Sequence, residues 1–114
     1  SKVYPNYNLM GIAKTTLEAA MRYAAWDAGR KNVRVNAVSA GPMKTLAARG
    51  ISGFTSMLDM GAKKSPMGRN VTQEEVGNTG LFLLSPMASG ITGQILYVDA
   101  GQSIVGVTVG ESTT

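Results

Sequence analysis

Cysteine and histidine are both absent from the 114 residues. Without thiols there are no disulfides and no thiol nucleophiles; without imidazoles there is no His-based triad. Lacking both, the chain has no Cys/His zinc site, and no metal site is expected. No apolar run approaches the roughly 20 residues that a membrane-spanning helix needs. The opening residues lack the build of a signal peptide. A cytoplasmic protein without membrane contact is the expectation. Aromatic residues make up 6% and prolines number four, whereas glycines number 14. That balance implies tight turns and little disorder. At 44% hydrophobic and 16% charged, the composition is that of one ordinary globular domain. The net charge of +4 comes from 11 dispersed Lys and Arg, with only Arg30-Lys31 and Lys63-Lys64 adjacent. A nucleic-acid reader carries a denser basic stripe beside stacking aromatics, so nucleic acid is not an expected partner.

Hydrophobic periodicity gives the elements. Ile12, Leu17, Ala20, Met21, Ala24 and Ala25 form a stripe of small and apolar residues at helical spacing, predicting a helix over 7–28. Pro5 and Asn6 mark its start; Gly29, Arg30, Lys31 and Asn32 mark its stop. The alternating, β-branched run over 33–38 reads as a strand. Gly50, Gly53 and Gly61 interrupt 45–61, which reads as one or two short helices with mobile joints. A connector is expected over 63–70. Thr72-Gln73-Glu74-Glu75 matches the capping box, opening a helix that runs to about Leu84 and buries Val76, Leu81, Phe82 and Leu83 or Leu84. Ser85-Pro86 stops it. Residues 94–99 read as a second strand.

Helix, strand, helices, helix, strand is thus the predicted order. Two strands joined by a helical crossover are parallel, and such strands normally lie in an α/β sheet covered on both faces. Two strands do not make that sheet. The expectation is an α/β chain forming the C-terminal part of a doubly wound, Rossmann-type parallel sheet, with the whole of 1–114 belonging to a single domain.

Tyr7 and Lys14 stand seven positions apart, about two helical turns, so their side chains leave nearly the same face. They form either a catalytic pair or an aromatic and a solvated lysine that share a helix. Ser39-Ala40-Gly41-Pro42 leaves the C-terminal end of the first strand, the edge where α/β sheets bind ligands. The alternative is a plain β-turn. Leu46, Ala47, Ala48, Ile51, Phe54 and Met57, joined by Met10, suit the wall of a greasy pocket or routine helix packing. Glu74 and Glu75 read as a helix cap rather than paired acid/base carboxylates. Arg34, Asn36, Arg49 and Arg69 also stand out, and the arginines suit an acidic partner, but the sequence does not choose among them.

Four stretches together resemble a known family: Y-N-L-M-G-I-A-K (7–14), R-V-N-A-V-S-A-G-P-M-K-T-L-A-A (34–48), V-T-Q-E-E-V-G-N (71–78) and G-I-T-G-Q-I-L-Y-V-D-A-G (90–101). In this order and spacing they are similar to the C-terminal part of the bacterial enoyl-acyl-carrier-protein reductases, NADH-dependent members of the short-chain dehydrogenase/reductase superfamily. Most reductases of that superfamily carry lysine four positions after the tyrosine. Here that position is Gly11, and the lysine comes three later, as in the enoyl-reductase form.

The resemblance implies roles. Tyr7 would stabilise the enolate formed when hydride reduces a trans-2-enoyl thioester. Lys14 would bind the nicotinamide ribose of NADH, with NADPH as the other candidate. Ala40, Gly41, Pro42 and Met43 would lie against the nicotinamide, with Thr45 near the pyrophosphate. A lid over about 45–62 would close over the acyl chain, so that Tyr7, Met10, Ala47, Ala48, Ile51, Phe54 and Met57 contact substrate. The resemblance also implies a homotetramer acting on substrate carried by acyl carrier protein. Nothing before Tyr7 matches the family's glycine-rich pyrophosphate turn, and the family's second active-site tyrosine falls before Ser1. The chain is therefore expected to hold roughly two-fifths to a half of such a domain and to need an N-terminal Rossmann half. Two alternatives stand: a 3-oxoacyl or other carbonyl reductase of the same superfamily, and a non-catalytic fragment acting as an interaction surface.

Overall fold

The computed structural model describes residues 8–45 and 53–106, giving only the backbone for 8–12 and 54. In chain order these form α1 (Asn8–Gly29), β1 (Ala37–Ala40), α2 (Phe54–Lys64), α3 (Gln73–Leu84) and β2 (Ile95–Val98). Short 3-10 turns follow α3 at Pro86–Ala88 and β2 at Gln102–Ile104. The strands pair in parallel, with Ala37 opposite Ile95 and Ala40 opposite Val98. The order and the parallel pairing match the expectation, and the result is α/β.

On α1 the buried stripe is narrower than the periodicity predicts. Met21 and Ala25, one turn apart, are buried. A Cβ built on Gly93 would lie 3.6 Å from the Ala25 Cβ, so a small residue admits the close approach. Leu17, Ala20 and Ala24 are instead exposed, and Tyr23 and Trp26 are exposed as well. Among the described residues no strand packs broadly on this 22-residue helix. The stop falls over 29–32, as expected. Gly29 stays helical, and Asn32 takes the left-handed conformation at φ 60°, which Asn tolerates better than most residues. Arg30 stacks over the Trp26 ring at 5.8 Å.

The strand expected over 33–38 covers only Ala37–Ala40. Residues 35–36 run beside 91–94, joined by one backbone hydrogen bond, from the Gly93 N–H to the Val35 carbonyl at 2.8 Å, and otherwise by polar side chains rather than a continued ladder. Arg34 donates to the carbonyls of Ser85 and Ile91, both at 3.3 Å. Asn36 donates to the Ile91 carbonyl at 2.9 Å and accepts from the Gln94 N–H at 3.0 Å. The Val35 N–H donates to Thr92 Oγ1 at 3.1 Å. The partner strand, expected over 94–99, is likewise Ile95–Val98.

The helix expected to end before Lys63 runs to Lys64, placing both lysines in the last turn of α2, where the dipole favours cations. The connector is correspondingly shorter. The capping box of α3 is present in full. Thr72 Oγ1 accepts from the Glu75 N–H at 3.1 Å, and Glu75 accepts from the Thr72 N–H at 3.0 Å. Ser85-Pro86 ends α3 as expected. Leu83 is buried and Val76 and Phe82 are half-buried, but Leu81 and Leu84 are 69% and 84% exposed. The reason is the narrow sheet: α3 packs on β1 and β2 and then runs past them. Among the described residues no large side chain is fully buried, and Ala88, Val71, Leu83 and Ala100 supply much of a small core. No helix among these residues is long and apolar enough to cross a membrane.

Arg69 grips Glu75 through both guanidinium ends, at 2.8 and 2.9 Å. That hydrogen-bonded pairing, helped by the Thr72 N–H, lowers the Glu75 pKa from 4.5 to about 2. A carboxylate depressed in the folded state stabilises above its unfolded pKa and loses that contribution as pH falls through the folded value. Thermal melts between pH 5 and 2 should therefore show a stability loss that Glu75→Gln reduces. The effect should be small and salt-sensitive, because both side chains are substantially exposed.

Candidate functional site

Parallel pairing brings the C-terminal ends of β1 and β2 side by side, so the turns that leave them must share space. Ser39 and Ala40, expected in the turn, pair within β1, so the turn that leaves β1 begins at Gly41-Pro42, and Asp99-Ala100-Gly101-Gln102 leaves β2. The Gly41 N–H donates to the Val98 carbonyl at 3.0 Å, adding one rung beyond β1. A Cβ built on Gly41 would stand 2.9 Å from Asp99 Cβ and 3.0 Å from Asp99 Cα. Only glycine admits this approach. The Asp99 carboxylate then fixes its own turn, accepting from the Gly101 N–H at 3.0 Å and the Ser103 N–H at 2.9 Å.

Helix α2 lies over this edge and is fastened just past its C-terminal end and at Leu58. Buried Ser65 donates its hydroxyl to the Ala100 carbonyl at 2.8 Å. Asn70 donates its amide to the Leu58 carbonyl at 2.7 Å. Gly101 adopts φ 86° against the Pro66 ring, where a Cβ would meet Cγ at 2.8 Å. Gly61 is buried inside α2 and faces Pro42, Asn70 and Gln102. Its expected part as a mobile joint is corrected: it is a close-packing position.

The structure gathers Gly41, Pro42 and α2 at one edge, with Met43 and Thr45 half-buried beside them and Ala40 exposed at the strand end. Met57, on α2, is 48% exposed. Lys14 is exposed on α1 and makes no hydrogen bond or ion pair among the described residues, so it is not joined to the turn within them. Tyr7, Ala47, Ala48 and Ile51 lie outside the described residues, as do the side chains of Met10 and Phe54. Of the arginines suggested for an acidic partner, Arg34 is spent on carbonyls and Arg69 on Glu75; Arg49 lies outside the described residues.

Asp99, Gln102, Ser65 and Asn70 received no role from the sequence. A signal existed. D-A-G-Q follows β2 as G-P follows β1, and parallel strands put their C-terminal turns together.

A family model described as enoyl-(acyl carrier protein) reductase matches residues 1–103. The enoyl-[acyl-carrier-protein] reductase [NADH] FabI of Rickettsia typhi is 53% identical over 105 residues, which are 92% of this chain and 40% of that relative. The crystal structure of the Anaplasma phagocytophilum enoyl-(acyl-carrier-protein) reductase in complex with NAD is 41% identical with TM-score 0.83, covering 97% of this chain and 40% of that one. The Bacillus cereus enoyl-acyl carrier protein reductase with NADP+ and indole naphthyridinone is 48% identical with TM-score 0.83, covering 93% and 41%. The chain thus spans about two-fifths of the length of the relatives it matches.

Proposed function

Since this chain belongs to the enoyl-(acyl carrier protein) reductase family, we propose that it is the C-terminal portion of a single Rossmann-type domain that reduces the trans-2 double bond of enoyl-acyl-carrier-protein thioesters with NADH, in fatty-acid biosynthesis. The observation that carries this reading is the parallel pair whose C-terminal ends hold the Gly41-Pro42 turn, Asp99 and α2 together. Open α/β sheets take their ligands at that edge. The residues there suit the nicotinamide end of a dinucleotide: exposed Ala40 offers backbone without bulk, and Thr45 adds a hydroxyl. Lys14, exposed on α1, offers an ammonium to ribose hydroxyls. Ala40, Gly41, Pro42 and Met43 are assigned to the nicotinamide and Thr45 to the pyrophosphate.

NADH, when bound, supplies the hydride that reaches the β-carbon of the enoyl chain. Negative charge then gathers on the thioester carbonyl oxygen. The Tyr7 hydroxyl donates a hydrogen bond to that oxygen, an interaction that strengthens towards the transition state. The Lys14 charge favours anionic character near Tyr7. A lid over about 45–62, containing Ala47, Ala48, Ile51, Phe54 and Met57, closes over the acyl chain, with Met10 completing the wall. We assign the enzyme to the cytoplasm and to a homotetramer. The exposed Leu17, Tyr23 and Trp26 of α1 and Leu81 and Leu84 of α3 fit surface buried against more of the fold and against other subunits.

The test is a chimera in which these 114 residues replace the matching segment of the Rickettsia typhi relative. Expected is NADH oxidation with a crotonyl thioester and little with an acetoacetyl thioester. Faster turnover of the keto substrate would hand the assignment to a carbonyl reductase, against which Gly11 speaks.

A further inference from the structure

We infer that a cleft around Arg34, at the end of the strands away from the Gly41-Pro42 turn, is an anion site that takes a phosphate group, free or as a monoester. The loop after α1 and the loop before β2 meet there, ahead of both strands. Between them lies an open cleft of about 380 Å³, walled by Asn32, Val33 and Arg34 on one side and by Ser89, Gly90 and Thr92 on the other. That volume is at the small end of the range for ligand sites.

What marks the cleft is a charge without a counter-charge. Arg34 is half-buried and makes no ion pair among the described residues. The carbonyls of Ser85 and Ile91 hold its guanidinium in place, set back from the surface, but they carry no net charge. A charge taken partly out of water is costly without a partner, and an anion in the cleft would supply one. The guanidinium fork also matches the oxygens of phosphate. The other polar side chains are donors. The Asn32 amide and the Ser89 hydroxyl form no hydrogen bond among the described residues. Thr92 Oγ1 accepts from the Val35 N–H, which leaves its own O–H to donate. No carboxylate lines the cleft. Asp27 is the nearest along the chain, and the exposed Arg30 and Lys31 outweigh it. The C-terminal end of α1 would repel an anion, but the Ala28 and Gly29 carbonyls there are taken by the N–H groups of Lys31, Asn32 and Val33. Exposed Val33 gives the organic part of a monoester an apolar wall.

The test is a phosphorus NMR titration of the chimera at constant ionic strength, with NADH saturating so that the cofactor's own phosphate contacts are filled. One arm adds inorganic phosphate and the other glycerol phosphate. Expected is millimolar binding that sulfate displaces and glucose does not. Asn32→Asp keeps the left-handed backbone at that position, which Asp tolerates, and turns a donor into a carboxylate. It should weaken binding about tenfold. Ser89→Ala, at an exposed position, should weaken it about threefold without touching the loop after α1. Arg34 is left in place because two carbonyls depend on it. Tighter binding of glycerol phosphate makes a monoester the ligand, and equal binding makes it the free ion; both keep the site. No binding at tens of millimolar would overturn the inference, as it must if the N-terminal portion of the domain fills the cleft. Equal affinity in the parent and Asn32→Asp would overturn it too, because the phosphate would then sit elsewhere. The comparison of parent and variant decides whether or not the chimera turns over an enoyl thioester.

Discussion

Replacing Tyr7 by phenylalanine in the chimera should lower kcat and kcat/KM together by a factor of about 100, the effect of deleting one oxyanion donor. The ring stays and only the hydroxyl goes, so the substitution tests the hydroxyl alone. A donor aimed at the thioester oxygen acts most strongly once charge has gathered there, so KM for the crotonyl thioester should change little. Lys14→Met is the companion measurement. Its loss should fall mainly on KM for NADH, because an ammonium on ribose hydroxyls binds cofactor rather than the reacting oxygen. Steady-state kinetics with each substrate varied in turn separates the two patterns. Full activity in both variants would remove the catalytic assignment of the pair.

Gly41→Ala should cost about 2 kcal/mol of stability, within the range for overpacking a close-packed position. The added methyl carbon would stand 2.9 Å from Asp99 Cβ and 3.0 Å from Asp99 Cα. Neither side yields easily. Asp99 is held by the two N–H groups that its carboxylate accepts, and Gly41 is held by its rung to the Val98 carbonyl. Either the last rung breaks or the turn after β2 moves, and the move reaches Gln102 and α2. NADH affinity should fall along with stability. Gly77→Ala is the control: it sits in α3 with nothing within 4 Å of the added carbon, and in a helix interior alanine should stabilise by about 0.5–1 kcal/mol. Urea unfolding of the chimera and its two variants reads both differences. Equal midpoints for Gly41→Ala and its parent would show that the turn has slack the packing does not suggest.

How much of this was legible in the sequence depended on the reach of each interaction. The α3 capping box spans three residues, so Thr72 and Glu75 announced it, and both hydrogen bonds are present. The parallel pairing followed from a helical crossover between two apolar runs. The 33–36 stretch misled, because alternation signals a pleated conformation but not a partner. There the partner is Ile91 to Gln94, reached by the side chains of Arg34 and Asn36 across 55 or more residues. The buried faces of α1 and α3 were overestimated for a related reason. Periodicity marks every apolar residue on a face, while the elements packed here cover only a few of them, such as Met21, Ala25 and Leu83.

By itself the sequence determined the chemistry that is open to this protein. Having no Cys or His, it excludes thiol and imidazole chemistry, and the Tyr7-x6-Lys14 spacing with S-A-G-P-M-K-T pointed to the family. Those signals are local, set by covalent spacing along one helix or one turn. Only the tertiary structure decided what holds the edge together. Gly61 read as a joint and proved a packing position, Asp99 read as a strand end and proved the anchor of the neighbouring turn, and Gln102 read as nothing in particular. Each owes its part to atoms that lie dozens of residues away in the chain, or, for Gly61, to a turn on either side of α2. Contacts of that kind exist only once two parallel strands have set their C-terminal ends side by side.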